Sequence, residues 1–466
     1  MSNKNIITYG AKISQIEQVY YGPVSVIPPS TTIPVTTTYC FLSKAEPWED
    51  DLNPPVPNSD QKAIKQIFKN MFVAKKIKSN DISPVIERID WSNGTIYDIY
   101  RDDIDVLEKD VNGYVRYHFY VKNSYDQVFK CLWNNNDDES TDEPYFEPGS
   151  YDTNNIFKGS DGYKWKYIYT IDPGKKVKFM DSEWMPVPVG ANTPNPLVTS
   201  AGAGSIDSIN VINGGSGYDP GNSVITVVVT GDGTGAAAVA DISGGVIQDI
   251  LITNPGTNYT YTEAHISSTT GSGAVLQANS SPIGGHGFDP ISELGCAHVM
   301  YTCEFNGDED GAIPTDIDFH QLGLLINPTT QSRYLDAKND LSPTPYPANG
   351  DIYRTTTDVI VAPGFGEYES DEFVYQGGLT IETATFTARV LSFDTSSNVV
   401  KLINISGSPI TNAPLFSNTS KTTRTLLTTS EPNFTIHSGY ISFIENRTGV
   451  TRSADGIEQI RFVLGY

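Results

Sequence analysis

Positive charge, cysteine and long apolar runs are all scarce in this 466-residue chain, and each scarcity removes a class of function. With 31 Lys and Arg against 55 Asp and Glu, the formal net charge is -24. Such a surface lacks the clustered cations that bind nucleic-acid phosphates or anionic lipid. The four cysteines, Cys40, Cys131, Cys296 and Cys303, show no Cys-x-x-Cys spacing. That pattern fits reduced, mostly buried thiols rather than a disulfide scaffold or a zinc site. No run reaches the about eighteen apolar residues of a membrane span, and MSNKNIITYG has neither the basic nor the apolar region of a signal peptide, so synthesis and use in the cytosol are expected. G-x-S-x-G, H-E-x-x-H and G-x-x-x-x-G-K-S/T are absent, and the six histidines show no ligand spacing. The sequence motifs therefore offer no catalytic or metal-binding signature to read. Paired carboxylates for glycoside hydrolysis stay open, because only their separation in space identifies them.

What is present points to a mainly β fold. The 40 Gly, 29 Pro and 26 Tyr, with many Thr, Ser and Asn, describe a chain of short strands and frequent turns, long enough for two to four domains. Ile6–Thr8, Gln18–Tyr21 and Thr37–Leu42 read as strands. In Ser43–Asn58, four prolines and several acids exclude regular structure and leave Trp48 to anchor a loop. After Ser59 or Asp60, both good N-caps, QKAIKQIFKNMFVAKKIK places Ile64, Ile67, Phe68, Met71 and Phe72 at helical spacing. This is an amphipathic helix with a solvated Lys face. Val85–Trp91 and Tyr97–Tyr100 then read as strands, and Tyr114–Val121 and Gln127–Trp133 as a strand pair before the acidic loop Asn134–Glu143. In Ser160–Ile171, Tyr163, Trp165, Tyr167 and Tyr169 line one face, better suited to a packed sheet than to stacked bases in so acidic a chain. Asn306, Asp308, Asp310 and Gly311 match early positions of a calcium loop, but Ile317 stands where the bidentate Glu should be, so an acidic hairpin turn is expected.

Two stretches differ in style. SINVINGGSGY at Ser208–Tyr218 recurs 41 residues later as DILITNPGTNY at Asp249–Tyr259, so residues 201–283 form an inserted Gly/Thr-rich β repeat module. Its glycines lack the Lys-Ser/Thr signature of a phosphate loop. Residues 329–431 form a second β-rich insertion, with a hairpin of Thr385–Phe393 and Val399–Ile405 across Asp394–Asn398. The core then comprises residues 1–200, 284–328 and 432–466. Its closing stretch reads as a strand pair, Tyr440–Ile444 and Ile457–Tyr466, which completes a twice-interrupted sheet. Removing the repeat module is expected to leave a folded protein, and truncation from Ile457 to expose a sheet edge.

Seven short segments occur in a characteristic order. They are Ser43-Lys44-Ala45-Glu46-Pro47-Trp48, Arg88-Ile89-Asp90-Trp91, Val128-Phe129-Lys130-Cys131-Leu132, Asp161-Gly162-Tyr163-Lys164-Trp165, Met185-Pro186-Val187-Pro188, Phe319-His320-Gln321 through Asn327-Pro328, and Ile444-Glu445-Asn446-Arg447. In this order the chain resembles the baseplate wedge subunit of T-even-type contractile-tailed bacteriophages, the product of their gene eight. With one or few short helices, as read above, the resemblance implies a structural protein with a β-sandwich core and no chemistry, hence not an enzyme and without cofactor or metal. It implies a homodimer that contacts other wedge proteins in the baseplate of the virion, after assembly in the host cytoplasm. Glu46, Pro47, Trp48, Trp91, Cys131, Gly162, Trp165, Pro186, Asn446 and Arg447 carry over as structural positions. The chain departs from the pattern in its two insertions and in Gly449, where a proline is expected. A second reading is a carbohydrate-binding or adhesin-like tail protein that takes a host-surface glycan, suggested by the Gly/Thr modules and the 11% aromatic content. A third is a tail-associated glycan hydrolase.

Overall fold

The computed structural model describes residues 9–21, 36–109, 115–147, 156–189, 203–282, 284–309, 311–331 and 345–466. Among the described residues the protein is mainly β, with 46% in strands and 9% in helices. It divides into two compact units, Met1–Gln18, Ser83–Met300 and Val463–Tyr466 in one, Val19–Ile82 and Tyr301–Phe462 in the other. Among the described residues, no helix is long and apolar enough to cross a membrane. Cys40, Cys131, Cys296 and Cys303 are all buried free thiols.

In the second unit a five-stranded antiparallel sheet runs in the order Ile352–Arg354, Met71–Ile77, Thr38–Ser43, Asp318–Ile326 and Tyr440–Thr451. Thr38–Ser43 lies at its centre and is buried throughout. Tyr39 and Phe41 pack there against Ile67, Phe68, Ala74 and Leu325. The helix Gln61–Asn70 begins where Asp60 accepts a hydrogen bond from the Ala63 amide at 2.8 Å, and it buries Ile67 and Phe68. It stops earlier than the spacing predicts. Met71 turns extended (φ −65°, ψ 134°), and Met71–Ile77 forms a strand between two neighbours. Two ladders and the burial of Met71, Phe72 and Val73 outweigh one more helical turn.

Residues Thr357–Ser430 of this unit form a closed six-stranded barrel, in the order Thr357–Val361, Val399–Ser406, Phe386–Asp394, Phe373–Gln376, Pro414–Ser417 and Thr423–Ser430. The expected hairpin is present, with Asp394 opposite Val399. Closure leaves the barrel without a free edge.

The first unit carries a four-stranded sheet of Tyr120–Lys122, Gln127–Trp133, Lys164–Thr170 and Ile156–Lys158. Tyr163 and Trp165 stack at 5.5 Å within its apolar cluster and Tyr167 packs against it, so these three form a packed face. Tyr169 does not join them, because the ladder shifts register between Phe129 and Val128, and its hydroxyl donates to the Pro186 carbonyl instead. Lys166 is buried too, because the sheet is covered on both sides. Several expected strands differ. Only Tyr120–Lys122 of the first partner pairs with Gln127–Trp133, Tyr97–Tyr100 is irregular, and the strand expected at Val85–Trp91 runs over Ile82–Glu87 and pairs with Trp184–Pro186. Gln18–Tyr21 closes the helix Tyr9–Tyr21, in which Ile13, Ile16 and Tyr20 recur at helical spacing and Ile16 is buried. Ile6–Thr8 lies outside the described residues.

The two copies of the repeat module are interwoven. Each copy has three strands, Ile206–Ser216, Thr226–Gly231 and Thr234–Ser243 in the first, Val246–Thr257, Thr262–Ser267 and Ser272–Ser280 in the second. They pair across the copies. The first strand of one copy meets the third of the other in both directions, and the two middle strands pair together. Even the irregularities match, at Ala237/Ala238 and Val275/Leu276. The hydroxyls of Tyr218 and Tyr259, equivalent in the repeat, each accept a hydrogen bond at 3.3 Å, from the amides of Ala274 and Ala236.

The closing strands Tyr440–Thr451 and Ile457–Gly465 do not pair in one sheet as expected. Tyr440–Thr451 joins the five-stranded sheet, and Ile457–Gly465 lies beside His298–Asn306 in another. The link reads as polar, but Asn446–Thr451 continues the ladder against Asp318–Gln321. Phe443 and Phe462 still meet, ring to ring, at 5.3 Å.

Candidate functional site

Most of the resemblance residues gather in two places, one in each unit. In the second unit Asp318–Ile326 lies between Thr38–Ser43 and Tyr440–Thr451, which brings three segments from remote parts of the chain side by side. The Trp48 indole donates to the Arg447 carbonyl at 3.0 Å across 399 residues of sequence. Asn446 donates to the Pro55 carbonyl at 2.9 Å and accepts from Gln321 at 2.7 Å. The His320 ring is buried between the Lys44 carbonyl (Nδ1, 3.2 Å) and Asp51 (Nε2 to Oδ1, 3.1 Å). Glu46 pairs with Lys44 at 3.1 Å and lies 3.7 Å from Arg389, while Pro47 is exposed. Hydrogen bonds from the amides of Gly449 and Trp48, with His320 nearby, hold the Asp51 carboxyl below the ordinary carboxylate range.

In the first unit Cys131 and Trp165 lie in one buried cluster with Tyr97, Val121, Phe129 and Tyr163, and Trp91 packs against it. Trp91 Nε1 donates to Ser140 at 3.0 Å, whereas Trp165 Nε1 meets no acceptor among the described residues. Gly162 adopts φ +86°, and a Cβ there would stand 2.7 Å from the Asn135 side chain, so the turn before the aromatic strand needs glycine. Pro186 sits apart, on the strand opposite Val85, with its carbonyl accepting from the Tyr169 hydroxyl at 3.1 Å.

Beside this cluster is a buried ion network that was not among the expectations drawn from sequence. Lys130, fully buried on an inner strand of its sheet, places Nζ 2.6 Å from Glu293 Oε1 and 3.6 Å from the centre of the Tyr100 ring. His286 Nδ1 lies 2.9 Å from the same carboxylate oxygen, and the Gly287 amide donates to the other at 2.6 Å. Asp207 of the repeat module lies 3.4 Å from His286 and 3.5 Å from Lys166. Burial raises the Glu293 pKa, but Lys130 and His286 more than offset it and bring it to about 2. Burial, then Lys130, pushes His286 down, toward the neutral ring. Glu293 reaches the wall of an open cleft of about 570 Å³, with Tyr100, Asp102 and Phe288. With both oxygens engaged and a pKa near 2, it is a poor general acid or base near neutrality.

The polar anchors Asn210 and Asn279 of the module also donate across this junction, to the carbonyls of Leu132 and Tyr100 at 2.9 Å and 3.3 Å. A signal for the network was in the sequence: a lysine inside the apolar strand QVFKCLW cannot be solvated if both faces are covered. The acidic turn at Asn306–Gly311 is tied up locally. Glu309 accepts from the Asn306 amide at 2.7 Å and pairs with Lys75 at 2.6 Å, and Asp310 lies outside the described residues.

No protein-family model matches this chain, and no curated protein matches it either.

Proposed function

We propose that this chain is a structural subunit of the baseplate at the tip of a contractile phage tail, acting by dimerisation and by contacts with neighbouring wedge proteins. The observation that carries the reading is the placement of the resemblance residues. Segments scattered along the chain, Ser43–Trp48, Phe319–Gln321 and Ile444–Arg447, converge on one loop-and-strand junction through Trp48, Gln321 and Asn446. Cys131 and Trp165 form part of a packed interior with Trp91 against it. Such positions hold a shape, and a scaffold needs shape more than it needs a reaction pocket. The reading assigns no substrate, cofactor or metal, places the chain in the virion, and has it assembled in the host cytoplasm.

The test is a cryo-electron microscopy map of the tail that carries this chain, with density for it expected in the baseplate. Light scattering of the isolated protein is expected to give twice 50.9 kDa. A self-complementary interface of more than about 2,000 Å² keeps such dimers together at micromolar concentration. A baseplate without the chain, or a monomer in solution, would count against the reading.

A further inference from the structure

We infer that the segment Leu52–Asn58 is a ready-shaped docking ligand for an aromatic-lined, basic-rimmed groove on a different protein of the tail. The identity of that partner as a tail protein rests on the proposed baseplate function; the docking surface itself rests on the exposure, anchoring and backbone shape of the segment.

The segment LNPPVPN is apolar and turned outward. Leu52 is 85% and Val56 89% exposed, and Pro55 and Pro57 are exposed beside them. These side chains contribute nothing to the core of their own unit. The loop that carries it, in contrast, is tied down, the segment itself through its Pro55 carbonyl and the residues before it through the Trp48 and Asp51 side chains. Asn446 donates to the Pro55 carbonyl at 2.9 Å, the Trp48 indole binds the Arg447 carbonyl at 3.0 Å, and Asp51 accepts from the Gly449 amide at 3.1 Å. Its shape is set as well. Pro54, Pro55 and Pro57 fix their own φ, and Asn53, Pro54 and Val56 each precede a proline and are pushed to extended backbone. The result is a polyproline-type stretch with little conformational freedom left to lose on binding.

Gly449 has a role in this arrangement. A Cβ at that position would stand 2.6 Å from His320 Nε2, and a proline, which the resemblance leads one to expect there, has no N–H to give Asp51. The glycine lets the strand approach the loop and lock it.

The chemistry of the partner is set by the segment. Extended proline-rich stretches dock on grooves lined by aromatic rings, with the intervening apolar side chains in shallow pockets. Exposed Glu49, Asp50 and Asp60 bracket the segment, so the groove needs Lys or Arg at its rim. With 31 Lys and Arg against 55 Asp and Glu, a second copy is the poorer source of such a rim, whatever apolar patch its own dimer contact uses.

The test uses the full chain, immobilised, with each of the other purified baseplate proteins of the same particle passed over it at low and at high salt. One of them is expected to bind, more weakly at high salt, and the Leu52→Ser/Val56→Ser variant to weaken it about tenfold or more. Both side chains are exposed, so that variant is expected to melt like the wild type. Phe365→Ser removes a fully exposed apolar side chain from the barrel and is expected to leave binding unchanged. Equal binding by the wild type and the double variant, or equal losses in both variants, would overturn the docking assignment and leave the tail reading standing. Binding that proves to be self-association lost in the double variant would overturn the assignment to a different partner. No binding of the wild type to any baseplate protein would overturn the tail reading, and the assignment with it.

Discussion

The six strands of the barrel enclose eleven buried side chains between Val359 and Leu426 and leave no edge, whereas no residue of Thr234–Ser243, a full strand of the repeat module, is buried. The module does have an apolar centre, around Ile206, Ile209, Ile247 and Ile250. It adds to this a set of polar bolts into its host, Asp207, Asn210 and Asp249 to the neighbouring sheet and Asn279 to the Tyr100 carbonyl. Two insertions of similar composition therefore reach stability by different routes. One closes over its own core, and the other borrows from its host. Gly/Thr-rich composition does not separate the two; where the charged partners lie does.

The largest test of that difference is excision. Replacing residues 203–282 by a short linker strips Lys166 and His286 of Asp207, and the Lys158 and Lys164 ammonium groups of Asp249. The expected outcome is loss of cooperative melting, which revises the expectation drawn from sequence that this module can be removed. Residues 356–431, the barrel, are expected to melt cooperatively alone. A deletion variant that melts like the full chain would erase the contrast.

Next in size is Lys130→Met. It leaves the Glu293 carboxylate buried without its ammonium, which costs about 3–5 kcal/mol. Adding Glu293→Gln is expected to recover most of that loss. Hydrogen exchange sharpens the comparison, because protection should fall in the module and its sheet while the barrel amides keep theirs.

Acid gives the smallest and most graded effect. His286 is held below its ordinary 6.5 and Glu293 at about 2 against an ordinary 4.5. Both folded values are depressed, so the unfolded chain takes up protons first and stability falls with pH. The decline starts below about 6.5 through His286 and continues from about 4.5 to about 2 through Glu293, the latter amounting to about 3 kcal/mol. Melting curves across that range are expected to show it, and His286→Gln to remove the first stage.

Much of the fold was legible because it rests on local patterns. The Asp394–Asn398 hairpin, the helix opened by Asp60 and the aromatic face of Tyr163 and Trp165 all follow from spacing and turn chemistry. Competition between elements was harder to read. Met71 and Phe72 fit a helix equally well, and only two waiting strand neighbours decide against it. The candidate sites were legible residue by residue but not as assemblies. Trp48 stood out as a loop anchor, yet its acceptor lies on a strand 399 positions away. Lys130 reads as an ordinary strand lysine until Glu293 is set beside it.

The exchanged pairing in the repeat module has a consequence for synthesis. The ladder that can form early is Thr234–Ser243 with Val246–Thr257, which are adjacent in sequence. Ile206–Ser216, made before either, has to wait until Ser272–Ser280 has left the ribosome. A single copy would have nowhere to place its first and third strands except on another molecule, so each copy is half of a two-chain knot that the tandem arrangement has turned into one chain. The module is thus a dimer written along a single polypeptide, and it is complete only when its last strand arrives.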